Sequence, residues 1–243
     1  MDWKVRTAKR VIDILLASVG LALTAPLLPL VALAIKLDSR GPVVFRQRRA
    51  GSLLGTETVD GVTRFRFAEF DMLKFRTMRT DAEKATGPVL ATRTDPRVTQ
   101  VGRFLRRTRL DELPQFWNVL CGQMSLIGPR PERPEILDNL ARAIPFFEER
   151  MRGVKPGITG LAQINLAYNG EAPVGSPIAV LQDEIVNPFD LEDAVGAEAD
   201  GMRLKLLFDL AYTATLEDFG TFVRAETEIV LRTPVVMLRG RGY

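Results

Sequence analysis

Hydropathy along the chain is sharply uneven. From Val11 to Ile35 the sequence reads VIDILLASVGLALTAPLLPLVALAI, with Asp13 its one charge. That run exceeds the ~20 apolar residues a helix needs to cross hydrocarbon. Two features argue against a plain crossing. Basic residues flank it on both sides: Lys4, Arg6, Lys9 and Arg10 before, then Lys36, Arg40, Arg46, Arg48 and Arg49. Positive flanks stay cytoplasmic, which puts both ends on one side. Pro26, near the middle, removes a helix hydrogen bond and favours a bend. Residues 1–40 are therefore expected to form a re-entrant membrane hairpin of helices. A kinked spanning helix is the alternative, since proline also occurs in spanning helices. A signal peptide fits less well, because the apolar core runs on past Pro26 and Pro29.

Further on, the period changes. Val43 to Gln47 reads as a short strand, and Arg64 to Arg76 (RFRFAEFDMLKFR) alternates in part with period two. Gly51, Gly55 and Gly61 mark the loop of a small β-hairpin. Asp81 to Asp95 is polar and reads as loop. Val101–Leu110 and Glu112–Leu120 have helical composition, with Asp111 placed to cap the second and Pro114 tolerated in its first turn. Gly128-Pro129-Arg130-Pro131 is rigid punctuation, and a helix is expected from Pro134 to Arg152, ended by Gly153. Near the end, Thr215-x-x-Asp218 reads as a capping box for a helix that Pro234 stops. Together these predict a mostly helical α+β fold: a membrane hairpin (1–40), a membrane-surface catalytic core (41–165), an acidic insertion or loop (166–202) and a C-terminal helical segment (203–243).

Composition narrows the chemistry. The chain has 243 residues, no histidine and a single cysteine, Cys121. This excludes Ser-His-Asp triads, imidazole catalysis, disulfides within the chain and Cys/His zinc sites. Carboxylates, Lys, Arg, hydroxyls or a hard cation must do any chemistry. Formal net charge is +3, yet residues 166–202 hold eight of the 30 acids and no base. The remainder sets 33 bases against 22 acids and is suited to phosphates, whether in a nucleotide, an anionic lipid or a nucleic acid.

The stretch RRTRLDELPQ, Arg106 to Gln115, concentrates that chemistry. Asp111 and Glu112 are adjacent, so on a helix they point in different directions and suit separate roles. One can attack or accept a proton while the other holds a hard cation such as Mg²⁺ through oxygen. Arg103, Arg106, Arg107 and Arg109 precede them, and guanidinium groups match phosphate bidentately. An isolated Asp-Glu pair is commonly just a solvated first turn.

The order of motifs around this pair resembles that of the bacterial sugar transferases, the monotopic phosphoglycosyl transferases. The matching pieces begin with Lys9-Arg10-x-x-Asp13, the mid-hairpin Pro26 and Val44-Phe45-x-Gln47-x-Arg49-x-Gly51. They continue through Lys74-Phe75-Arg76-Thr77-Met78, Asp95-x-Arg97-x-Thr99-x-x-Gly102 and Leu110-Asp111-Glu112-Leu113-Pro114-Gln115. Asn118-Val119-Leu120-x-Gly122-x-Met124-Ser125, Gly128-Pro129-Arg130-Pro131 and Pro156-Gly157-Ile158-Thr159-Gly160 complete the set. The resemblance covers residues 9 to about 165 and resumes weakly near Asp209.

It implies an enzyme at the cytoplasmic face of a bacterial inner membrane that moves sugar 1-phosphate from a UDP-sugar to polyprenyl (undecaprenyl) phosphate, releasing UMP. The residue matching Asp111 attacks phosphorus to form an aspartyl-phosphosugar, and the one matching Glu112 helps hold Mg²⁺. Lys74, Arg76, Arg106 and Arg130 are then phosphate or nucleotide contacts. Lys9, Arg10 and Asp13 are expected to anchor the hairpin at the interface. The chain departs from the family at Ala25, often serine, and at Arg109, also commonly serine. Partners expected are the two substrates and the bilayer, with no nucleic acid; a homodimer is left open. The rival readings are a membrane-anchored nucleic-acid binder and a scaffold without catalysis.

Overall fold

The computed structural model describes residues 1–59, 61–80, 95–167, 170, 172–173, 175–184 and 200–238. Expectations for most of the loop 81–95 and for 185–199 of the acidic segment lie outside these residues. The architecture is a mostly helical α+β fold in which a bent apolar helix pair leads into a domain carrying an antiparallel hairpin.

Helices α1 (Trp3–Thr24) and α2 (Leu27–Asp38) meet at a 62° bend across Ala25-Pro26. Among the described residues no single helix is long and apolar enough to cross a membrane, whereas the bent pair is by length and composition. The bend has a local cause besides proline. Thr24 Oγ1 donates to Gly20 O at 2.7 Å, a back-bond of the kind that bends helices. Thr24 thus supplies the hydroxyl that Ala25 lacks.

Helix α1 buries two charged residues on its inner side. Val5, Lys9, Asp13 and Ala17 are buried at i, i+4 spacing, while Val11, Leu15, Val19 and Leu23 stand exposed. Charge inside and aliphatic side chains outside, over Lys9 to Leu23, suit an apolar surrounding. This arrangement also corrects the anchor reading. Lys9 Nζ lies 2.8 Å from Glu226 Oε1, and Arg10 donates to the carbonyls of Val119 and Leu120 at 2.7 Å each. Asp13 Oδ1 accepts from Ser125 Oγ and Leu126 N. These residues fasten α1 to the domain instead of reaching for an interface.

The hairpin is longer than its glycines suggest. Strands β1 (Val44–Val59) and β2 (Val62–Phe75) pair antiparallel from Val44↔Phe75 to Val59↔Val62. Gly51 and Gly55 sit within β1, where the register shifts between Ala50, Leu53 and Gly55. Bulges tolerate glycine inside a strand, so only Gly61, at φ +76°, belongs to the turn.

Helix α3 (Gln100–Thr108) is capped by Thr99, whose side chain accepts from Gly102 N. Gly102 is required there: a Cβ would come 2.0 Å from Thr77 O. Next come a 3-10 turn (Leu110–Glu112) and the short α4 (Gln115–Leu120). Strand β3 (Ser125–Ile127) pairs parallel with β4 (Gly157–Thr159), and α5 (Pro134–Ala143) lies between them in sequence. The expected Pro134–Arg152 helix breaks at Ile144-Pro145, because proline cannot continue the hydrogen-bond ladder, and resumes as a 3-10 segment, Phe147–Met151.

Helices α6 (Leu161–Asn165) and α7 (Pro177–Glu184) precede two long ones, Asp200–Thr215 and Phe219–Leu238. Asp218, not Thr215, caps the last: its Oδ2 accepts from Thr221 N at 2.9 Å. That helix also runs through Pro234, losing one amide without ending. The main core joins Val5 and Ala17 of α1 to Phe70, Met72, Val119, Met124 and Ile127. Tyr212, Phe222 and Ile229 close it from the C-terminal side.

Candidate active site

The site forms where α3 stops. Arg109 closes the helix in the left-handed conformation, φ 59° and ψ 13°, which is uncommon for a residue with a side chain. The reversal turns the chain into the tight 3-10 turn, so Asp111 and Glu112 are not the cap of a regular helix. Both are buried, at 7% and 8% exposure, which excludes a solvated first turn.

Glu112 is held by charge. Its Oε1 lies 3.1 Å from Lys74 Nζ, 3.3 Å from Arg130 Nη2 and 3.5 Å from Arg109 Nη1. Burial alone would raise its pKa, but Lys74, Arg130 and Arg109 outweigh it and hold the group well below the usual carboxylate range. Asp111 differs in both respects. Its Oδ1 is buried without a hydrogen-bond partner. Burial, reinforced by the Glu112 charge, pushes its pKa up to about 6 against the pull of Lys74, Arg109 and Arg106. One acid is saturated; its neighbour presents an unclaimed oxygen.

The sequence-predicted cations divide. Lys74, on β2, and Arg130, in the Gly-Pro-Arg-Pro corner, converge on Glu112. Arg106 donates to Thr77 Oγ1 at 2.9 Å and acts on Asp111 through its charge. Arg76 goes elsewhere: its Nη2 donates to Ser39 O and Oγ and to Ile35 O, closing the carbonyl end of α2. Sequence reasoning did not give Arg109 a role on Glu112, nor Asn118 its structural one. Asn118 Oδ1 accepts from Leu73 N and its Nδ2 donates to Asp71 O, bracing β2 beside Lys74. Its place in the Asn118-Val119-Leu120 motif was the available signal.

The orphaned Asp111 oxygen is a donor of the kind a hard cation takes, whereas Glu112 Oε1 is already met by Lys74, Arg109 and Arg130. No cluster of three or more acidic, Cys or His ligands exists among the described residues, so a cation here would lean on substrate and water.

The bacterial sugar transferase profile matches residues 4–240, and the chain belongs to that family. It is 48% identical over 160 residues to an undecaprenyl-phosphate glucose phosphotransferase of Komagataeibacter xylinus, covering 65% of this chain and 27% of that protein. It is 47% identical over 166 residues to the UDP-glucose:undecaprenyl-phosphate glucose-1-phosphate transferase of Escherichia coli (strain K12), covering 68% and 32%. An Aeromonas hydrophila UDP-N-acetylgalactosamine-undecaprenyl-phosphate N-acetylgalactosaminephosphotransferase is 44% identical over 164 residues, covering 68% and 35%. The chain thus spans roughly a third or less of the length of these relatives.

Proposed function

We propose that the protein transfers sugar 1-phosphate from a UDP-sugar to undecaprenyl phosphate, releasing UMP, as the membrane step that starts a polysaccharide. One observation carries this: the buried Asp111 oxygen is without a partner and stands amid cations. A carboxylate with a pKa near 6 is largely ionised at neutral pH and attacks without a base to deprotonate it. That fits a chain without histidine.

In the first step an Asp111 carboxylate oxygen bonds to the sugar-bearing phosphorus while the bond from that phosphorus to the bridging oxygen breaks. The electron pair leaves with UMP. An oxygen of the lipid phosphate then bonds to the same phosphorus and the Asp111–phosphorus bond breaks, restoring the carboxylate. Lys74, Arg109 and Arg130 gather at Glu112, and their charge would also reach the oxygens of a diphosphate seated beside the pair. Asp111 and Glu112 would hold Mg²⁺, which when bound supplies charge neutralisation to the phosphates. The bent α1–α2 pair supports a re-entrant placement that keeps the site at the cytoplasmic surface of the membrane.

The reading is tested with membranes carrying the protein, a UDP-sugar labelled in the sugar and undecaprenyl phosphate. Label should enter the lipid fraction with equimolar UMP, and Asp111→Asn should abolish both. Absence of transfer across a panel of UDP-sugars overturns it.

A further inference from the structure

A small cleft adjoins the acid pair, lined among others by Arg49, Lys74, Gln115 and Arg130. Its enclosed part has room for about one water-sized group. Gln115 follows Asp111 by four residues, is 3% exposed, and its Nε2 is buried without a hydrogen-bond partner. A buried amide left unpaired is costly unless a ligand satisfies it. The walls offer three cations and one amide donor and include no carboxylate. An acceptor-rich anion suits that set, although each cation already has a carboxylate behind it, Glu112 for Lys74 and Arg130 and Glu132 for Arg49. Lys74 and Arg130 also touch Glu112, so the cleft shares two of its walls with the acid pair. Arg49 is held in place by Gln47 Oε1, which accepts from its Nη2 at 2.6 Å, by Pro131 O, which accepts from its Nη1 at 3.1 Å, and by the Glu132 carboxylate 3.9 Å from Nη1.

We infer that Gln115 and Arg49 form a subsite for one phosphate oxygen, which seats a reacting phosphate beside Asp111. The inference rests on the proposed transferase reading for its substrates. Two sources supply this chemistry: the diphosphate of the sugar nucleotide, and the phosphate of the lipid acceptor. Gln115 is a substrate-binding residue on this account. Arg49 grips the same oxygen through its guanidinium.

The test uses the full chain in detergent or nanodiscs and the variants Gln115→Met and Gln115→Glu. Gln115→Met removes the donor at similar volume; Gln115→Glu places an anion against the phosphate. Losing a hydrogen bond to a charged group corresponds to about a tenfold change in affinity. KM for one phosphate substrate should rise about tenfold in Gln115→Met and further in Gln115→Glu. Arg49→Lys should move the same constant the same way.

A rise confined to the UDP-sugar assigns the donor diphosphate, and a rise confined to the polyprenyl phosphate assigns the acceptor. Binding of UDP and of a short-chain polyprenyl phosphate, measured separately by calorimetry, reads the subsite without turnover. The inference therefore stays testable even if wild-type protein transfers no sugar phosphate. Unchanged binding of both probes in both Gln115 variants overturns it. So does a loss of kcat and thermal stability with both KM values unchanged.

Discussion

Lys9, in the first helix, and Glu226, in the last, form a buried ion pair 2.8 Å long across 217 residues of sequence. Tyr212 donates to the same Glu226 oxygen at 2.6 Å. The apolar helix pair is therefore locked to the C-terminal helices by a polar joint, not merely tethered to the domain. Breaking one side of such a joint strands a buried charge. Lys9→Met should cost about 3–5 kcal/mol in denaturant unfolding in detergent, while Lys9→Met combined with Glu226→Met should recover most of it. Equal losses in the single and double variants would refute the joint.

The orphaned acid carries a cost that can be read as stability. Asp111 has a folded pKa of about 6 against an ordinary value near 3.8. Between those values the folded protein holds more protons than the unfolded chain, so stability falls as pH rises from about 4 to about 6 and the penalty persists above. Asp111→Asn lacks that penalty. With EDTA present it should be more stable than wild type by up to about 2 kcal/mol at pH 7.5, and the gain should fade below about pH 4. Differential scanning at several pH values measures this. A variant less stable at pH 7.5 would count against it.

The proposed re-entrant placement is a statement about topology. With the 62° bend between α1 and α2 turned back on itself in one leaflet, both flanks lie on one side of the bilayer. Tags placed at residues 2 and 60 should be protected alike in oriented vesicles. Opposite protection would indicate a spanning pair.

Much of this was legible in the residues. The acid pair, the mid-hairpin bend and the mostly helical α+β class follow from order and spacing; Lys74 and Arg130 came from the resemblance as phosphate contacts, and the structure sets them against Glu112. The departures share one cause: residue type shows polarity without direction. Lys9 and Asp13 look like interfacial charges until the helix is seen to turn them inward beside Val5 and Ala17. Gly51 and Gly55 look like loop until long pairing turns them into bulge positions. Arg76 carries the charge of a phosphate contact, but its placement at the end of α2 gives it backbone carbonyls instead. Arg109 matters for its left-handed backbone as much as for its charge, and no pattern of arginines reveals that.

Covalent capture tests the central claim most directly. Purified protein is mixed with sugar-labelled UDP-sugar and Mg²⁺ but no lipid acceptor, then quenched and separated from free nucleotide. One equivalent of UMP should be released per enzyme, with sugar phosphate retained on wild type and none on Asp111→Asn. Full turnover by Asp111→Asn, or normal wild-type turnover with no trapped label, would contradict the account.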